Sequence, residues 1–152
     1  MSRRGELDVI VVGAGAVGGA LALALARDGF EVALVEARGP KPWRADDEVD
    51  LRVVALAPDA RALLDDLGVW PSIEASRVGP YRHMHVWDAL APGELHFDAA
   101  EQGEAALGWI VENKLVQSAL WQALRDDRHD GFAALGPQPS ALRKSIAASA
   151  AP

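Results

Sequence analysis

The sequence predicts an α/β fold that opens with a strand–helix–strand unit on a parallel sheet. Three observations carry that expectation. A β-branched run, Leu7 to Val12, stands near the start; a glycine-rich turn, Gly13 to Gly18, follows it at once; and a helix-forming stretch then leads to a second β-branched run, Phe30 to Glu36.

The first run, "LDVIVV", has strand length and reads as a strand buried on both faces of a parallel sheet. It ends at Gly13-Ala14-Gly15-Ala16-Val17-Gly18, a complete G-x-G-x-x-G. The next stretch, "ALALALA", alternates between two good helix formers, so its alternation carries no strand information. A helix over about Ala16 to Arg27 is expected, closed by Asp28-Gly29 as a C-cap. Because that helix is apolar all round, it expects cover on both sides. "FEVALVE" is the second strand and completes a βαβ unit.

Each glycine has a physical task in this arrangement. Gly13 permits the tight turn out of the strand, Gly15 lets backbone N–H groups approach a pyrophosphate, and Gly18 allows close packing of helix on strand. The unpaired N–H groups of the first helical turn and the positive end of its dipole hold phosphate charge. Glu36, at the tip of the second strand, offers a carboxylate to the ribose hydroxyls of an adenosine and repels a 2′-phosphate. These residues in register predict adenine-dinucleotide binding. A secretory segment is the competing reading, because Arg3-Arg4 precedes a run without charge from Val9 to Ala26. Glu6, Asp8 and the glycines argue against it, as does the continuation of the pattern beyond Ala26.

Further on, Ala37 to Arg52 reads as a loop broken by Gly39-Pro40 and Pro42, with a solvated acidic cluster at Asp46 to Glu48 and Asp50. "APDARALLDDLGVW" predicts a helix with Pro58 in its first turn, apolar Leu63, Leu64 and Leu67, and Gly68 as its stop. "YRHMHVWD", Tyr81 to Asp88, alternates like a strand, and "GELHFD", Gly93 to Asp98, is its expected hairpin partner. His83 and His85 share a strand face there with His96 across from them. Lacking an orienting carboxylate pattern, they read as polar strand residues, and no metal site is expected. An amphipathic helix begins at about Glu112, with Leu115, Ala119, Leu120 and Leu124 on one side, and Asn113 near its start can cap it or reach a ligand.

Composition narrows the function. The 152 residues are half apolar and 24% charged, as in ordinary soluble domains, and the net charge of −7 has no basic stripe, so no nucleic-acid partner is expected. No cysteine is present, which excludes thiolate catalysis and cysteine-held metals and suits a reducing cytoplasm. From residue 128 onward the chain is rich in Ala, Ser, Pro and Gly without periodicity, and a poorly ordered tail is expected over 128–152.

Four stretches in this order, "DVIVVGAGAVGGALALALARDGFEVALVEAR", "DLRVVALAPDARALLDDLGVW", "YRHMHVWD" and "LGWIVENKLVQSALWQAL", resemble the N-terminal part of the FAD-dependent aromatic-ring monooxygenases, the para-hydroxybenzoate hydroxylase-like flavoproteins. Within them the likeness is greatest to the ubiquinone-biosynthesis hydroxylases. The resemblance implies a Rossmann-like, glutathione-reductase-type FAD-binding domain over 1–127, present in part, with a portion of an inserted β-region and a following helix. It implies FAD as cofactor, with Gly13, Gly15, Ala16, Val17 and Gly18 along the pyrophosphate, Glu36 on the adenosine ribose, and Arg38, Arg52 and Asn113 as further cofactor contacts. It also implies NAD(P)H as electron donor and a polyprenyl phenol or quinol as substrate. Peripheral contact with the inner membrane and with other ubiquinone-biosynthesis proteins follows from the same likeness. No side chain is assigned a catalytic role, since oxygen chemistry of this kind is the cofactor's. The family's middle "DG" motif and later "GD" motif do not occur; Asp130-Gly131 stands in other surroundings. A truncated or frameshifted member, inactive alone, is the expectation, with a stand-alone FAD- or NAD-binding module as the alternative.

Overall fold

The structure is a computed structural model and describes residues 7–39, 41–126 and 132–135. In chain order these form β1 (Val9–Val12), α1 (Ala16–Arg27), β2 (Val32–Val35), β3 (Val53–Leu56), α2 (Pro58–Asp66) and α3 (Trp70–Glu74). They continue as β4 (Val78–Tyr81), β5 (His83–Trp87), β6 (Glu94–Asp98), β7 (Gly108–Glu112), α4 (Asn113–Asp126) and β8 (Phe132–Leu135), with a single 3₁₀ turn at Ala100–Gln102. The chain divides into two compact units, Met1–Pro42 with Gln117–Pro152, and Trp43–Val116.

The first unit holds a parallel sheet in the order β1-β2-β8. Val9 pairs with Val32 and Val12 with Val35, so β1 and β2 run in register through the predicted βαβ unit. Val32, Ala33 and Leu34 are fully buried, as expected of a central parallel strand. Helix α1 lays Ala22 and Leu23 against this sheet, and each fully buried aliphatic side chain of leucine or valine size stabilises by about 1.5–3 kcal/mol. The helix ends as predicted: Gly29 has φ +88°, its N–H reaches the Ala26 carbonyl at 3.1 Å, and the Phe30 N–H reaches Leu25 at 3.1 Å. That pair of bonds is the Schellman closure, which requires a left-handed residue after the cap.

Three expectations in this unit need correction. Of β1 and β2 only β2 is buried on both faces; on β1 the face that carries Ile10 and Val12 is exposed, while Val11 on the other face is buried. Helix α1 does find a neighbour beyond its sheet, with Leu120 of α4 close against Gly19, but its cover is not all round, and Val17 and Leu21 stay exposed. Residues 132–135, placed by sequence in a poorly ordered tail, form a strand: an apolar "FAAL" run supplies the pairing that the second edge of β2 accepts. Residues 128–131 and 136–152 of that expected tail, Asp130-Gly131 among them, lie outside the described residues.

The second unit is built on an antiparallel sheet, β3-β7-β4, and a separate β5-β6 hairpin. Proline stands at the first turns of both α2 and α3, where its missing N–H costs nothing. Gly68, at φ +59°, stops α2 as predicted. Trp70 and Ile73 are buried with Leu64, Leu67, Val69 and Val111, and Trp70 meets Trp109 edge-on at 5.7 Å. The Arg61 guanidinium covers both indoles at 5.3 and 5.2 Å. No helix among the described residues is long and apolar enough to cross a membrane.

Candidate functional site

In the first unit the chain leaves β1 through Gly13, whose φ of +94° is a backbone state that residues with a Cβ rarely adopt. Its N–H bonds the Val35 carbonyl at 2.8 Å, so the turn begins at the sheet edge. Helix α1 then starts at Ala16 with Gly15 as N-cap, and no side chain caps it. The N–H groups of its first turn therefore keep the capacity to bind an anion. A Cβ built at Gly15 meets nothing within 4 Å, whereas one at Gly18 would run into the Gly13 carbonyl. The two glycines thus do different work. Gly18 lets the helix close on its own entry turn, and Gly15 keeps the mouth of the turn open.

Glu36, just beyond β2, is tied to the same turn. One carboxylate oxygen accepts the Ala14 N–H at 2.8 Å and the other accepts the Arg38 N–H at 3.0 Å. The Ala14 bond first, and the Arg38 bond next, hold this carboxyl below its ordinary range, against the opposing pull of partial burial. A carboxylate has about four acceptor sites, so two backbone bonds leave room for hydroxyl donors. On the other side of the turn, the Trp121 indole N–H from α4 donates to the Ala14 carbonyl at 3.1 Å. Ala14 is thereby held by both of its peptide groups. Gly13, Gly15, Ala16, Val17, Gly18, Glu36 and Arg38 are brought together in this one unit. An uncapped helix start, an open glycine and an ionised acid at the next strand tip fit the pyrophosphate and ribose of an adenine dinucleotide.

Arg52 and Asn113 lie in the second unit and next to each other. Val53 pairs with Glu112 across β3 and β7, and the Asn113 N–H donates to the Arg52 carbonyl at 2.9 Å. Arg52 is exposed, with its own N–H on the Asp50 carboxylate at 2.9 Å. Between them stands a residue that sequence reasoning missed. Glu112 is 4% exposed and accepts the Asp50 N–H at 2.8 Å and the Trp43 indole N–H at 3.3 Å, with the Arg77 guanidinium also at 3.3 Å. Arg77 in turn reaches the carbonyls of Ala45 and Asp47 at 2.8 and 2.9 Å and stacks over Trp43. The loop expected to be solvated is therefore fastened at several points, and its Asp47 carboxylate takes the Lys114 ammonium at 3.0 Å. That bond holds Asp47 below the usual carboxylate range. The available signal was an acid closing the apolar run "GWIV", a poor place for a charge unless it is partnered.

On the β5-β6 hairpin the register sets His85 opposite His96 and His83 opposite Asp98. The predicted cross-strand placement of His96 holds for His85, while His83 turns to Asp98 at 3.5 Å.

Comparison with known proteins agrees with this geometry. Residues 8–46 match the family described as FAD dependent oxidoreductase. The chain is 44% identical over 117 residues to 3-demethoxyubiquinol 3-hydroxylase of Escherichia coli, covering 77% of this chain and 30% of that protein. It is 36% identical over 122 residues to the mitochondrial ubiquinone biosynthesis monooxygenase COQ6 of Xenopus tropicalis, covering 77% of this chain and 26% of that one. Among solved structures, p-nitrophenol 4-monooxygenase PnpA of Pseudomonas putida superposes with TM-score 0.61 at 21% identity, over 85% of this chain and 31% of the other. PqsL of Pseudomonas aeruginosa, a probable FAD-dependent monooxygenase, gives 0.62 at 17% identity, over 86% and 33%. The chain spans less than a third of the length of these curated relatives.

Proposed function

We propose, from a chain that shares its sequence and its fold with part of the FAD-dependent monooxygenases, that these residues hold the adenosine and pyrophosphate of FAD in a ring hydroxylase of ubiquinone biosynthesis. The observation that carries the proposal is the glycine turn braced by Glu36, in a chain 44% identical to a demethoxyubiquinol hydroxylase. Gly13, Gly15, Ala16, Val17 and Gly18 present the backbone to the pyrophosphate, and Glu36 takes the ribose hydroxyls. Arg38, Arg52 and Asn113 make the further cofactor contacts. Bound FAD supplies the redox chemistry, with NAD(P)H as electron donor and oxygen as co-substrate. The substrate is an electron-rich phenol or quinol with a polyprenyl tail, met at the inner face of the membrane, and the protein works in the cytoplasm beside other enzymes of that route.

On its own, a chain of these 152 residues is expected to bind FAD weakly and not to hydroxylate. Fluorescence titration with FAD, NAD⁺ and NADP⁺ tests the reading. FAD should bind tightest and NADP⁺ weakest, because Glu36 repels a 2′-phosphate. Gly15→Ala should leave the far-ultraviolet dichroism unchanged and weaken FAD by at least about tenfold, or about 1.4 kcal/mol, since its methyl fills the open mouth of the turn. Equal affinity for all three nucleotides, or full FAD affinity in Gly15→Ala, would overturn it. FAD binding with NADH oxidation stimulated by a phenol would overturn the expected inactivity alone.

A further inference from the structure

The β5-β6 hairpin carries a side-chain cluster that the cofactor site does not use. His85 and His96, opposite each other, stack with ring centroids 4.0 Å apart and planes 14° from parallel. Glu94, two residues before His96 and so on the same strand face, closes the group: its Oε2 lies 3.0 Å from His85 Nε2 and 3.7 Å from His96 Nε2. One ligand atom from each of the three side chains fits within 4.8 Å of the others. Donor atoms 2.0–2.1 Å from a tetrahedral zinc ion are about 3.3 Å from one another, so the separations suit one ion. The two imidazoles, stacked 14° from parallel, must turn out of the stack for both in-plane lone pairs to meet it, a rotation their exposure permits. Two imidazoles and one carboxylate are the donor set of a borderline divalent transition ion and a poor set for magnesium or calcium.

An ordinary cross-strand ion pair accounts for less. Such a pair needs one histidine, and between exposed groups it contributes little to stability. Here two imidazole nitrogens converge on one carboxylate oxygen. Sequence grouped His83 with the other two histidines and found no carboxylate; the register replaces His83 with Glu94. The three ligands come from both strands, so an ion held by them would also clip β5 to β6, and their exposure leaves its remaining positions to water.

We propose that His85, Glu94 and His96 form a divalent transition-metal site, with zinc the ion to test. The untagged 152-residue chain is titrated with Zn²⁺ by calorimetry. One ion per chain is expected, lost in His85→Ala and in His96→Ala and weakened in Glu94→Gln. Since the chain has four histidines, His83→Ala and His129→Ala complete the set, and both should bind as the parent does. All five positions are tested with far-ultraviolet dichroism as a check on folding, and imidazole ¹⁵N spectra should show Nε2 of His85 and His96 shifting together with zinc. Absence of saturable uptake, uptake that survives His85→Ala or His96→Ala, or uptake lost in His83→Ala or His129→Ala would each overturn the proposal.

Discussion

At the level of single residues, the glycine turn is fixed by backbone conformations that leave little choice of side chain. A φ of +94° at Gly13 and a helix that closes on the Gly13 carbonyl at Gly18 both exclude a Cβ. Glu36 was legible by position, at the end of the second strand. Its bond to Ala14 was not, because that depends on how the turn folds back over the strand tip. This bond has a measurable consequence. A carboxyl held below 4.5 in the folded chain stabilises it fully above the unfolded value, and the contribution is lost as pH falls through the folded one. The parent should therefore exceed Glu36→Gln in stability by about 1 kcal/mol at pH 7, narrowing as pH drops below 4.5. Urea midpoints of the two proteins from pH 7 down to pH 3 test this; a gap that widens in acid would contradict it.

At the level of elements, long patterned segments read well and short ones did not. Helix α1 runs over the predicted Ala16–Arg27, and α4 begins one residue after the expected start. Strands β3 and β7 were missed, since apolar runs of four or five residues have too little length for periodicity to distinguish them from helix ends, and β4 because its Gly79-Pro80 pair has the look of a turn. Missing β7 hid the role of Glu112, whose carboxylate joins the end of that strand to the loop before β3. Removing it leaves the indole of Trp43 and the Asp50 N–H without their acceptor and takes from Arg77 its carboxylate partner, leaving it the carbonyls of Ala45 and Asp47. Glu112→Ala should cost about 2–3 kcal/mol by chemical denaturation, whereas Glu48→Ala, on the exposed side of the loop, should stay near zero. Comparable losses for the two would mean that the loop is not held through Glu112.

For the whole molecule, the sequence pointed to one interrupted domain, and the fold separates into two compact units because residues 43–116 build a sheet and hairpin of their own. That division was not visible in composition, which changes only near residue 128. It also distributes the aromatic residues unevenly. Four of the five tryptophans, Trp43, Trp70, Trp87 and Trp109, belong to the second unit, and Trp121 alone belongs to the first. Trp121 is the indole whose N–H rests on the Ala14 carbonyl, inside the glycine turn. The protein thus carries a natural optical probe of its own nucleotide turn. With the other four replaced by phenylalanine, the emission of Trp121 should fall as FAD is added and recover on dialysis, and emission that ignores saturating FAD would show that the nucleotide settles elsewhere.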